Sequence, residues 1–86
     1  MSGHYQELER DLIVVLAEVG SGLEPVESQE VQMYLEAGEY GLALETICAV
    51  LKQKQIAVSA ATYVKIMDLG ERMEVDPNNW QDLQVS

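Results

Sequence analysis

EYGLALETICAVLKQK, residues 39–54, is the stretch that decides the fold. Tyr40, Ala43, Leu44, Ile47, Val50 and Leu51 recur at spacings of three and four, so one stripe of a helix is apolar. Lys52 and Lys54 close the stretch, where cations favour the negative end of the helix dipole. A helix with one apolar stripe must bury it against other elements. The question is what the flanking residues supply.

Upstream, only Gly38 separates this helix from another helical pattern, short enough for an αα-hairpin or a sharp kink. That second helix begins near Pro25, a good first helical residue, or Ser28, a good N-cap. Val31, Tyr34 and Leu35 form its inner face, and Gly38 stops it. A helix of about ten residues does not stand alone in water. Further upstream, Leu8, Leu12, Val15, Leu16 and Val19 give a first helix over about residues 5–19. Gly20 can take the left-handed conformation that closes it, and Ser21-Gly22 make the turn.

Downstream, Ile56 and Val58 flank a brief extended loop, and Ser59 caps a fourth helix. Tyr63, Ile66, Met67, Gly70 and Met73 share its inner stripe. Gly70 costs about 1 kcal/mol inside a helix, which is accounted for if another helix approaches closely there. Asp76-Pro77 reads as an N-cap and a first-turn proline, starting one last turn through Trp80 and Leu83. No strand-like alternation with hairpin turns occurs. The expectation is an all-α, small four-helix bundle-like domain with short loops, its core including Leu12, Leu35, Leu44, Ile47, Leu51, Ile66 and Met73. Residues 1–86 form one domain, with residues 1–4 disordered. Residues 35–44 look like half of a tetratricopeptide repeat, but they occur once, and a solenoid needs about three repeats.

At 86 residues the chain has little room for both a core and a deep catalytic cleft. Its hydrophobic fraction, 48%, is ordinary for a folded domain. The single cysteine, Cys48, excludes an intrachain disulfide, and with Ile47 and Ala49 beside it reads as a small buried hydrophobe. The longest apolar run, Leu12 to Ala17, is far short of a membrane span, and no secretory signal is visible. The expected compartment is the cytoplasm. Fifteen Asp and Glu against five Lys and Arg give a net charge of −10. The first 45 residues hold ten of the acids and one base, Arg10. Such a field repels nucleic acid and anionic lipid and attracts basic protein surfaces.

Reactive constellations are missing. His4, the one histidine, has no triad partner and no second metal ligand in sequence. There is no phosphate-cradling glycine loop and no zinc or calcium spacing. Acid pairs such as Glu7/Asp11 and Glu27/Glu30 lie on polar faces, away from any desolvated cleft that would split their pKa values. The expectation is no catalytic residue, no metal, no cofactor and no enzymatic activity.

Gly38-Glu39-Tyr40-Gly41-Leu42-Ala43-Leu44-Glu45, then Ile56-Ala57-Val58-Ser59 and Tyr63-Val64-Lys65-Ile66, resembles the MafI-type immunity proteins of bacterial toxin–immunity modules, including those of contact-dependent growth inhibition. The resemblance covers about residues 28–83. It implies a small helical cytoplasmic protein that binds and neutralises the C-terminal domain of a delivered toxin, often a nuclease. It carries over no catalytic residue. Partner contacts are read from this chain's own residues. Glu24, Glu27, Glu30, Glu36 and Glu39 crowd together with no base among them in sequence, which suits a basic nuclease. Trp80, beside Asp82 in a polar stretch, either caps the open end of the bundle or anchors an interface. The competing reading is a small acidic adaptor or oligomerisation module, which exposed Val14, Leu23 or Met33 would favour.

Overall fold

The computed structural model describes residues 3–86. The chain runs α1 (Gly3–Val19), a 3₁₀ turn (Gly20–Gly22), α2 (Pro25–Glu36), α3 (Tyr40–Lys54), α4 (Ala60–Arg72) and the single turn α5 (Asn78–Gln81). The protein is all-α, with four helices of useful length in a bundle-like arrangement. Of the segment expected to be disordered, Met1 and Ser2 lie outside the described residues, while α1 starts at Gly3.

α3 is the hub. Its Ala43, Leu44, Ile47 and Cys48 are completely buried, and Val50 and Leu51 nearly so. α2 packs chiefly on α3, while α1 packs on both α3 and α4. Leu12 and Val15 of α1, Val31 and Leu35 of α2, and Ile66 and Leu69 of α4 fill the spaces around it. Burying each Leu or Ile contributes about 1.5–3 kcal/mol, so this core carries the stability of the domain. On α4 the buried stripe is rotated from the expected one. Thr62 and Leu69 are buried, whereas Tyr63, Met67 and Met73 are only partly covered. A threonine within the stripe disguises it in sequence.

Three helix ends use a left-handed residue. Gly38 has φ +76° and sends the Glu39 N–H back to the Tyr34 carbonyl at 2.8 Å. Gln55 and Glu74 adopt φ +57° and +58° in the same role, although neither is glycine. Gly20 does not take this conformation; the chain tightens into the 3₁₀ turn, and the Leu23 N–H bonds to the Gly20 carbonyl at 3.1 Å. At α2 the start is Pro25 rather than Ser28, and the Glu24 N–H donates to Glu27 Oε1 at 2.8 Å. Ser59 caps α4 as expected, accepting from the Thr62 N–H at 3.1 Å.

The C-terminus is tied down. Val58 donates its N–H to the Gln84 carbonyl at 2.8 Å, and its own carbonyl accepts from the Ser86 N–H at 2.9 Å. This single parallel bridge lays the tail along the α3–α4 loop.

Candidate partner-binding surface

The acids expected to bind a partner divide into two groups. Glu24 and Glu27 sit at the first turn of α2, and Lys54 at the end of α3 reaches both, at 3.8 and 2.8 Å. Lys54 also donates to the Gly22 carbonyl at 3.3 Å. The Lys54 ammonium, helped by the Glu24 N–H, holds the Glu27 carboxyl below the usual carboxylate range, and Glu27 in turn raises Lys54. The sequence stretch without a base therefore meets one in space. Glu27 forms a clamp between α2 and α3, so Lys54 offsets part of the negative charge that Glu24 and Glu27 bring to this surface.

Glu30, Glu36 and Glu39 are different. All three are exposed and make no ion pair among the described residues. Glu39 joins Glu45, Glu74 and Asp76 along a hollow of about 430 Å³ between the start of α3 and the α4–α5 link. Sequence reasoning missed this grouping, because its carboxylates come from two stretches about thirty residues apart and no local pattern links them.

Trp80 is not a surface anchor. It is 3% exposed, with its ring against Gly70 of α4. That corrects its interface assignment: the indole completes the core, because Gly70 leaves a slot with no side chain. Asp82, two residues on, is exposed.

The cations are mostly engaged elsewhere. Lys65 pairs with Glu18 at 3.1 Å. Arg72 pairs with Asp11 and Asp68 at 2.9 and 3.0 Å. Lys52 donates to the Asn78 carbonyl at 3.2 Å. Arg10 makes no ion pair among the described residues. The pairs fasten α1 to α4 and α3 to α5, which leaves the outward side of α2 and the α2–α3 corner to uncompensated negative charge.

Exposed apolar side chains complete the surface. Val26 and Met33 of α2 are 69% and 68% exposed. Ile13 and Val14 of α1 are exposed beside Arg10, while Leu23 is buried.

No three His, Cys, Asp or Glu side chains among the described residues stand together as a metal-ligand set. The side chain of His4 lies outside the described residues. Burial pushes the Cys48 thiol up to about 12, so it stays protonated. A hollow of about 380 Å³ lies between the 3₁₀ turn and the start of α4, lined partly by Glu18, Ser59 and Thr62. Their polar atoms are already committed to one another. Ser59 donates to Thr62 Oγ1 at 3.0 Å, and Thr62 donates to Glu18 Oε1 at 2.8 Å. No described helix is long and apolar enough to cross a membrane.

No family model, curated protein or solved structure matches this chain.

Proposed function

We propose that this chain is an immunity protein of the MafI type, which binds the C-terminal domain of a polymorphic toxin in the cytoplasm and neutralises it. Its partner is a basic nuclease domain; the chain itself is no enzyme and takes no cofactor. The observation that carries this reading is the uncompensated acidic surface. Glu30, Glu36 and Glu39 face solvent with no ion pair among the described residues, while Lys54 is held by Glu24 and Glu27 at the start of α2 and Lys52, Lys65 and Arg72 are held on other parts of the bundle. A nuclease presents a basic groove to its polyanionic substrate, and an acidic protein reaches that groove by electrostatically steered association. Immunity must act before damage accumulates, so a fast on-rate is useful. An interface of ~800 Å² on each side supports nanomolar binding, and the protein exposes 5199 Å² in all.

The test is co-expression with the toxin domain encoded next to the chain's own gene. The domain should kill cells alone and spare them when this protein is present, and the two should purify as a complex. Killing that persists with the protein in excess would sink the proposal.

Exposed Val14 and Met33 favour a second reading, an acidic module that associates with itself. Sedimentation of the free protein separates the two. A concentration-dependent oligomer with no affinity for the toxin domain selects the second.

A further inference from the structure

The two most exposed large apolar side chains of the described protein, Val26 and Met33, stand on one helix, seven residues apart. Seven residues is nearly two full turns, so both lie on one ridge about 10 Å apart along the axis. The buried residues of α2, Val31 and Leu35, define its inner face. Helical geometry then puts Met33, Val26 and Gln29 at the centre of the outer face, with Glu30 along one flank and Glu36 along the other. α2 contains no Lys or Arg. Because α2 packs chiefly on α3, it forms an edge of the bundle and this ridge is open.

We infer that the outer face of α2 is a docking surface for an apolar strip rimmed by Lys or Arg, with Val26 and Met33 as the anchors and Glu30 and Glu36 as the flanking charges. In the reading proposed above, on which the identity of this partner rests, the strip belongs to the toxin domain. Isolated apolar side chains on a surface need no explanation. Two of them on one ridge, enclosed by acids on both sides, form a pattern with a complement. Met suits the anchor position because its flexible thioether adapts to an irregular partner surface. Electrostatics decide between occupants. A second copy packed on the same face by two-fold symmetry would bring the acidic flanks of the two ridges together in either helix direction, adding like-charge repulsion between two chains of −10 each. The Ile13–Val14 patch of α1 is the weaker candidate for a basic partner, because Arg10 lies beside it.

The test is an NMR titration of the isotope-labelled full chain with a synthetic amphipathic helix of Leu and Lys. A control peptide carries the same Lys pattern with Ser in place of Leu. The Leu/Lys peptide should shift the amides of Val26, Glu30 and Met33, and the Ser/Lys peptide should bind about tenfold more weakly. Val26→Ser combined with Met33→Ser should weaken the Leu/Lys peptide by about tenfold or more, with helical circular dichroism unchanged, since both side chains point to solvent. Shifts confined to α1 or to the Glu39–Glu74 hollow, or equal binding of the two peptides, overturn the inference. The same double variant is then tested against the neighbouring toxin domain. Full protection by that variant overturns the inference while the immunity reading stands. A toxin domain that the native protein never neutralises, with the Leu/Lys peptide still seated on α2, overturns the immunity reading while the docking surface stands.

Discussion

The indole of Trp80 occupies the space that a side chain on Gly70 would need. A methyl built on Gly70 would overlap the benzene edge of the ring, and the ring, only 3% exposed, is already packed into the core. The glycine weakens α4 by about 1 kcal/mol relative to alanine, and the indole that it admits contributes more than that. Gly70→Ala should therefore destabilise the native protein, by about 1–3 kcal/mol from overpacking. Trp80→Ala should cost about 3–5 kcal/mol. On that second background the sign reverses: Gly70→Ala now has space and adds helix propensity, so it should stabilise. Urea unfolding of the four proteins checks this, and a Gly70→Ala penalty of equal size on both backgrounds would show that the contact is not the cause.

A second prediction concerns Ser59. Its hydroxyl accepts from the Thr62 N–H and donates to the Thr62 hydroxyl, which passes the chain on to Glu18 of α1. Ser59→Ala removes the cap and leaves the Thr62 N–H without that partner, so it should destabilise by about 1 kcal/mol. Ser59→Asp retains an N-cap acceptor and should recover much of the cap, but it cannot donate to Thr62, and its charge approaches that of Glu18. The ordering Ser59, then Asp, then Ala in denaturation midpoint is the expected outcome. Equal midpoints for Ser59 and Ala would remove the cap from the account of α4.

The clamp between α2 and α3 sets a pH dependence. Glu27 has its pKa lowered by the hydrogen bond from Lys54 and then by the Glu24 N–H. The folded protein thus keeps this carboxylate ionised where the unfolded chain takes up a proton. Its contribution is complete above the ordinary value of about 4.3 and is lost as the pH falls through the lower folded value. Glu18, lowered by the Thr62 hydroxyl and then by Lys65, acts in the same direction. Lys54 is raised, so its share is complete below about 10.4 and is lost as the pH rises past its folded value. Denaturation midpoints of the native protein and Glu27→Gln should differ near neutral pH and converge in acid. A gap that persists at about pH 2 would mean that packing, and not the ion pair, is what the substitution removes.

The helices were legible in the sequence where a residue type carries its own geometry. Pro25 opens α2, Gly38 closes it, Ser59 caps α4, and the stripe from Ala43 to Leu51 is buried as its spacing requires. Gln55 and Glu74 were not legible as left-handed stops, because neither residue type signals that conformation, and what shows it is the local bonding at the helix end, Ile56 N–H to the Leu51 carbonyl and Val75 N–H to the Gly70 carbonyl, each at 2.9 Å. Trp80 was ambiguous because its Asn-Asn-Trp-Gln-Asp setting is polar, and its destination lies ten residues back at Gly70. The candidate surface was half legible. A run of acids is visible in one dimension, but the Lys54 that neutralises Glu24 and Glu27 arrives from another helix. The apolar ridge of α2 was not seen as such, since Val26 and Met33 become a pattern only once the inner face of α2 is known.

The last prediction follows from that division of the acids. Glu30, Glu36 and Glu39 are exposed and free of ion pairs among the described residues, so none supports the fold. Replacing all three with Lys should leave the helical signal intact and change stability by less than about 1 kcal/mol. If the proposed toxin domain is the protein's partner, association should slow by about tenfold or more at low salt, and most of that difference should vanish at high salt, where charges beyond about 3 Å are screened. Replacing Glu24 and Glu27 instead should act the other way round, lowering stability through the lost Lys54 clamp with a smaller effect on the association rate. Stopped-flow association at two ionic strengths, paired with urea unfolding of both variants, separates the roles. Equal on-rates for the native protein and the triple variant at low salt would remove steering by these three acids from the mechanism. The surviving candidates would then be Asp82 and the carboxylates of Glu45, Glu74 and Asp76, which no partner cation holds among the described residues.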